Sequence, residues 1–205
     1  MDSILCYNIL DCIYPQMKII ESKRFIFRPI DIDDVYDIYE YLSQEQVVKY
    51  LPFKVHKNIS DTKKFVQSYF INNYKKGKVG NYAIYYKADK KVIGNVGLNN
   101  VNPNSNIGEI GICINPKYWG NNFSTELCIV SLITGFEILN LDKIVVKTYE
   151  KNKYTSKVLN NLKFEFVESF KYRGNQEECN LYELRKEEYF KMKKSYLPSL
   201  IRKYR

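Results

Sequence analysis

The sequence predicts an α/β domain in which strands are interleaved with helices. Three observations carry this expectation. Apolar residues recur at two periods, strict alternation in some stretches and i, i+3, i+4, i+7 in others. The two kinds of stretch follow one another in the order β-α-α-β-β-β-α-β-α-β-β, with about seven strands and about four helices. The 205 residues are 45% apolar and 15% aromatic, enough for one packed core and too many for a disordered chain.

Taken in order, residues 1–18 read as an N-terminal extension that closes near Pro15. Ile19, Ile20, Phe25, Ile26 and Phe27 predict a first strand stopped by Arg28-Pro29. Asp31, Asp33 and Asp34 place negative charge at a helix start, and Val35, Ile38, Tyr39 and Leu42 form its buried face. Ser60 and Asp61 open a second helix with Phe65, Tyr69 and Phe70 inward. Strands over Tyr82–Lys87 and Val92–Val101 flank a hairpin turn at Ala88-Asp89-Lys90-Lys91. Gly108–Asn115 is a further strand, ended by Pro116. A helix over Ser124–Leu139, a strand over Lys143–Thr148 and a helix over Lys153–Leu162 follow. Phe164–Phe170 and Asn180–Leu184 close the pattern as a strand pair. The domain is thus expected over 19–189, with 190–205 as a basic C-terminal tail.

Composition excludes several functions. His56 is the one histidine, which removes two-His zinc sites and every Ser/His/Asp triad that does not use His56 itself. Cys6, Cys12, Cys113, Cys128 and Cys179 are odd in number and include no C-x-x-C, so free thiols in a reducing compartment are expected, and no metal site. The start Met1-Asp2-Ser3 lacks a basic region before its apolar residues and is a poor secretory signal. The longest apolar run, Leu127–Leu139, spans about 13 residues and contains Glu137, too short and too polar for a bilayer. These points predict a soluble, cytoplasmic protein without a membrane partner. The formal charge of +9 is not arranged around base-stacking aromatic motifs, which argues against nucleic acid.

Chemistry concentrates in two stretches. The first runs from Glu109-Ile-Gly111-Ile through Pro116-Lys-Tyr-Trp119-Gly120-Asn-Asn122-Phe123-Ser124-Thr125-Glu126. A strand ends, a loop turns at Gly120, and a helix begins, so unpaired helix-start amides with partial positive charge meet a tight loop. Alone, such a junction is a weak phosphate-site signal, because most are structural. The second stretch is Asn152-x-x-Thr155 with Val158-Leu159 and Leu162-Lys163-Phe164. Together they resemble the GNAT superfamily of N-acetyltransferases, most closely the branch of ribosomal-protein alanine N-acetyltransferases. That branch reads E-x-G-Y, then P-x-x-W/R-G-x-G-Y-A-T-E, then N-x-x-S-I-x-V-L-E-K-L-G-F. Arg24-Phe-Ile-Phe-Arg28-Pro29, Lys49-Tyr50-Leu51 and Gly94…Gly97-Leu98 fit as well, so the resemblance covers roughly 20–190 with its segments in order.

The resemblance implies a mixed, twisted sheet whose fourth and fifth strands splay apart to admit acetyl-CoA as co-substrate. The pantetheine would pair along Ile112, Cys113 and Ile114. The pyrophosphate would rest on amides of Lys117, Trp119, Gly120, Asn121, Asn122, Phe123, Ser124 and Thr125, and Asn152 would hydrogen-bond the cofactor, with Lys151 or Lys153 near its phosphates. The acceptor amine must lose a proton, and Glu109 stands where the family often keeps a carboxylate for this; a structural strand-end carboxylate is the competing reading. The leaving thiolate needs a proton. Leu159 replaces the tyrosine that many members use, which leaves Thr155, at the branch's serine position, with Tyr154 as substitute; a helix cap is the bland reading of Thr155. The oxyanion would meet a backbone N–H of the fourth strand.

Two departures stand out. Asn122 replaces the second loop glycine, and Lys163 replaces the glycine that ends the last helix, each at a place where a left-handed backbone is expected. Asn122 motivates an alternative function, a catalytically inactive binding module of the same fold. His56 lies in a loop that borders the acceptor pocket in this family, either contacting substrate or exposed. Cys113 is expected to pack. The acceptor is an amine, from a protein N-terminus (ribosomal or other) to a small molecule, and a monomer or homodimer is compatible with the sequence. Residues 186–205 carry five of the nine excess positive charges and read as a solvated tail rather than part of the active site, with or without a binding partner.

Overall fold

A computed structural model describes residues 14, 16–49, 51, 53–102, 104–171 and 177–204, with side chains through 193. Cys6, Cys12, Pro15, Tyr50 and nearly all of the expected N-terminal extension lie outside the described residues. The elements are β1 (Ile20–Ser22), β2 (Phe25–Pro29), α1 (Val35–Leu42), α2 (Glu45–Val48), α3 (Ile59–Phe65), α4 (Asn72–Lys75), β3 (Asn81–Tyr86), β4 (Lys91–Asn102), β5 (Ile107–Ile114), α5 (Ser124–Leu132), β6 (Lys143–Tyr149), α6 (Lys153–Asn161), β7 (Glu165–Lys171), β8 (Glu178–Arg185), α7 (Lys186–Leu200) and β9 (Ile201–Tyr204). The strands hydrogen-bond in the order β7-β8-β6-β5-β4-β3-β2-β1-β9, a mixed sheet of the expected α/β class with two more strands than expected. The chain divides into two compact units, 1–96 with 112–121 and 201–205, and 97–111 with 122–200.

In the first unit, the expected first strand is a hairpin. β1 and β2 pair antiparallel, Ile20 opposite Phe27, because Ser22 Oγ accepts from the Phe25 amide at 3.0 Å and closes the turn between them. β2 pairs in turn with β3, Phe25 opposite Tyr86 through Pro29 opposite Tyr82. The aspartates act as read: Asp31 caps the turn Ile32–Asp34, and Asp34 returns a bond to the Asp31 amide at 2.8 Å. Asp34 also grips Arg28 through two hydrogen bonds at 2.7 and 2.8 Å. The buried face of α1 is Val35, Ile38, Tyr41 and Leu42, so Tyr41 takes the inward place expected of Tyr39. Its hydroxyl satisfies itself on Asn95 Oδ1 at 3.0 Å. Between α3 and α4 the helix widens to a π turn over Val66–Ile71. The extra residue rotates the face, which leaves Phe70 buried and Tyr69 43% exposed, against the inward expectation for Tyr69. β4 crosses β5 at Gly94, where a Cβ would stand 2.2 Å from the Cys113 carbonyl oxygen.

In the second unit, α5 is apolar on all sides and nearly every residue from Glu126 to Leu132 is buried, as expected of a central helix. It widens over Ile133–Ile138 and ends before Asn140, whose φ is 56°. β6 pairs antiparallel with β8 from Lys143 opposite Arg185 to Tyr149 opposite Cys179, and β8 pairs with β7. α6 ends as anticipated at Lys163, with φ 62°, and the Phe164 amide bonds back to the Leu159 carbonyl at 3.0 Å. Residues read from the sequence as a solvated tail instead form α7 and β9. α7 is anchored by Tyr189, 1% exposed and stacked on Phe136 at 4.9 Å, and by Met192 three residues on. Glu137 accepts from Tyr189 Oη and from Lys193 Nζ, so part of the basic charge is paired. β9 pairs antiparallel with β1 in the first unit.

Candidate functional site

In the second unit, β5 and β6 run parallel and pair only over Ile107↔Lys143, Gly108↔Ile144 and Glu109↔Val145. Past that pair β6 stays in register with β8, while β5 continues to Ile114. Glu109 therefore stands at the last rung shared by the two strands. Its Oε2 accepts from Lys147 Nζ at 2.8 Å and from Asn100 Nδ2 at 3.3 Å. Lys147 is two residues past Val145 and so shares the strand face of Glu109's neighbour. The Glu109 side chain keeps 21% of its surface exposed and that of Lys147 keeps 37%.

The end of β5 and the loop after it belong to the first unit. Asn115, fully buried, takes its amide to the Ile93 carbonyl at 2.8 Å and accepts from the Lys117 amide at 3.1 Å, which folds the chain into a 3-10 turn over Pro116–Tyr118. Lys117 reaches Glu40 on α1 at 2.5 Å, and Lys91 on β4 reaches the same carboxylate at 2.5 Å. Lys117 first and Lys91 second hold the Glu40 carboxyl down at about 2. Tyr118 Oη donates to Asp89 at 2.5 Å, Trp119 Nε1 donates to the Ile114 carbonyl at 3.0 Å, and Arg24 donates to the Asn121 carbonyl at 3.3 Å. The loop is thus tied at four successive points while Trp119 itself stays 53% exposed. Gly120 adopts φ 80°, and a Cβ there would meet nothing within 4 Å, so open space lies over its backbone. Cys113, half-buried on β5, has its thiol pushed up to about 12 by desolvation, which leaves it a packing group and not a nucleophile.

The second unit continues the loop. Asn122 takes φ 55°, the left-handed angle anticipated for the residue in the glycine's place. Its Oδ1 accepts from Tyr154 Oη at 3.1 Å. Phe123 is the N-cap of α5 and makes no side-chain cap bond, so it gives the first-turn amides around Ser124 and Thr125 no help. On α6 the cap is Asn152, whose Oδ1 accepts from the Thr155 amide at 3.1 Å. Thr155 is therefore the capped residue and not the cap. Leu159, at the family's tyrosine position, is fully buried.

His56 is neither exposed nor open to a ligand. It is 8% exposed, bonds Thr62 Oγ1 through Nδ1 at 2.9 Å, and sits edge-on to Phe65. A depression of about 530 Å³ lined by Asn160, Lys163, Phe164 and Met192 contains none of the expected site residues. Among the described residues no cluster of His, Cys, Asp and Glu suits a metal ion, and no helix is long and apolar enough to cross a membrane. Reading the sequence alone missed Lys147, Asn100 and Glu40. The signal for Lys147 was the alternation Lys143, Val145, Lys147, which puts lysines on one face of a strand, but its partner follows only from the β5–β6 pairing.

Comparison with known proteins bears on the fold and the family. The uncharacterized N-acetyltransferase p20 of Bacillus licheniformis is 27% identical over 150 residues, 73% of this chain and 83% of its own length. The uncharacterized N-acetyltransferase YoaA of Bacillus subtilis is 25% identical over 147 residues, 72% of this chain and 82% of its own. Among solved structures, the ribosomal-protein-S5-alanine acetyltransferase of Vibrio fischeri superposes with a TM-score of 0.72 at 19% identity, over 83% of this chain and 98% of that one. The spermidine N-acetyltransferase of Vibrio cholerae, solved with CoA and spermine, superposes with a TM-score of 0.69 at 18% identity, over 82% and 98%. Residues 24–165 match the acetyltransferase (GNAT) domain, and the chain belongs to the GNAT acetyltransferase family.

Proposed function

We propose that this protein is an N-acetyltransferase that moves the acetyl group of acetyl-CoA to a primary amine by direct attack. The observation that carries the reading is the end of the β5–β6 ladder at Glu109↔Val145, beyond which β5 runs on to Ile114. A strand released from one neighbour offers main-chain N–H and C=O groups to an extended amide such as a pantetheine. Residues of the chain fit the rest of that ligand. Gly120 leaves open space over its backbone, and the Lys117–Ser124 amides with the α5 start suit a pyrophosphate. Asn152 remains a cofactor contact, now through its amide nitrogen, because its oxygen caps α6.

Acetyl-CoA supplies an activated thioester carbonyl. The chain supplies proton management and position. Glu109 takes the proton of the incoming amine, its carboxylate steadied by Lys147 and Asn100. Thr155 gives the proton to the departing sulfur. Tyr154 is the second choice because its hydroxyl proton is directed at Asn122. Asn122 keeps the loop's left-handed angle, which favours a functional loop over the inactive binding module.

Calorimetry with acetyl-CoA, followed by a CoA-release assay over a panel that includes a peptide with an N-terminal alanine, a polyamine and amino sugars, tests the reading. Binding and turnover of one acceptor class are expected. No binding at millimolar acetyl-CoA would refute it. Glu109→Gln is expected to lower turnover about 10²–10⁴-fold.

A further inference from the structure

Amine acetylation needs a primary amine, a proton acceptor within hydrogen-bond reach, and a face on which the acyl carbon arrives. The second unit already holds the first two. Lys147 Nζ is a primary amine 2.8 Å from Glu109 Oε2, and its side chain is 37% exposed. It projects from β6 two residues past the last rung shared with β5, on the face that Glu109 occupies. The other side chain recorded on that oxygen is the Asn100 amide, which steadies the carboxylate and is no competitor for its proton-accepting role. Lys147 thus holds, relative to Glu109, the place in which an acceptor amine would be held.

We propose that Lys147 is a self-acetylation site. The inference rests on the acetyl-transfer reading above. The Lys147 ammonium gives one proton to Glu109, and the neutral amine forms a C–N bond with the acetyl carbonyl carbon of acetyl-CoA. The thioester C–S bond breaks, CoA leaves as a thiolate that takes up the second N–H proton, and Glu109 passes the first to solvent. The products are N-acetyl-Lys147 and free CoA, with no oxidant or metal required. The modification removes a positive charge and dissolves the ion pair, so Glu109 is released from Lys147 and the site becomes more acidic by one charge. External amines and Lys147 compete for the same carboxylate, and the self-reaction is strongest when no acceptor is present.

The full-length protein is incubated with acetyl-CoA alone, and acetyl occupancy at each lysine is read by peptide mass mapping. Lys64 and Lys191, both exposed and far in sequence from every residue assigned to the cofactor, report non-specific chemical acetylation. Occupancy at Lys147 is expected to exceed theirs by at least about tenfold, and to fall at least about tenfold in Glu109→Gln while theirs stays constant. Glu109→Asp, which withdraws the carboxylate by one methylene, is expected to give the same fall and covers the case in which the first variant does not fold. A protein that binds acetyl-CoA and acetylates an external amine, yet leaves Lys147 no more modified than Lys191, overturns this inference alone. A protein that does not bind acetyl-CoA overturns the function and this inference together. Added acceptor amine is expected to suppress the Lys147 label, and a label insensitive to saturating acceptor overturns the competition.

Discussion

Lys163→Gly is expected to stabilise the protein, against the usual direction of a glycine substitution. Lys163 sits past the last turn of α6 with φ 62°, and the chain turns there because the Phe164 amide returns to the Leu159 carbonyl at 3.0 Å. A side chain with a Cβ pays about 1–2 kcal/mol for that left-handed angle. Glycine escapes the strain but gives the unfolded chain about 0.4–1 kcal/mol of extra freedom. The net gain is about 0.5–1 kcal/mol. For a chain of this size that is roughly 1–4 °C in Tm. The Lys163 side chain is exposed and lies at the rim of a shallow depression, so its removal costs little packing. Lys163→Ala is the control, since it deletes the same exposed chain but keeps the Cβ. Urea midpoints and Tm of the three proteins decide the matter: a Lys163→Gly protein no more stable than Lys163→Ala refutes the strain argument.

Asp34→Ala removes both bonds to Arg28 and the return bond to the Asp31 amide, and leaves a guanidinium only 12% exposed without its carboxylate; a loss of about 3–5 kcal/mol is expected in urea unfolding. Burial lowers the His56 pKa below its ordinary 6.5, so its neutral form is favoured in the fold. Stability from this group is present above pH 6.5 and is lost as pH falls through the lowered value; urea midpoints at about pH 7.5 and about pH 5.5 should differ more in the wild type than in His56→Gln. Tyr154→Phe removes the bond to Asn122 and is expected to raise KM for acetyl-CoA about 2–10-fold, the worth of one hydrogen bond. A fall in kcat beyond about 100-fold would instead move proton donation from Thr155 to Tyr154.

Much of this was legible because local chemistry and the fold agree. The hairpin turn at Ala88–Lys91, the acidic start of α1, and the strands at 107–114 and 143–149 each carry their own signal. Asn122 and Lys163 were readable as left-handed positions because they interrupt a pattern that elsewhere uses glycine there. The misses have physical causes. A π turn inserts one residue into a helix and rotates its face, and the inward assignment of Tyr69 was lost that way. The β1 hairpin depends on a single serine hydroxyl. α7 was hidden by its charge, since among its described side chains the buried ones, Tyr189 and Met192, stand amid lysines and glutamates. Within the site, loop and helix start were visible from residue types, whereas the Glu109–Lys147 contact depends on which strand lies beside which.

The pairing of β9 with β1 bears on how the chain is made. The outer strand of the first unit is contributed by residues 201–204, paired with residues 20–22. A ribosome delivers residues 20–22 long before residues 201–204. β1 and β2 are able to pair with each other at once, yet the edge of β1 that β9 covers stays open until those residues follow. An open strand edge is where newly made chains pair with one another by mistake. The finished protein covers that edge, while a chain cut short before residue 201 keeps it bare. Loss of residues 201–204 is thus a route to aggregation, though it spares every residue assigned to the acetyl-transfer site.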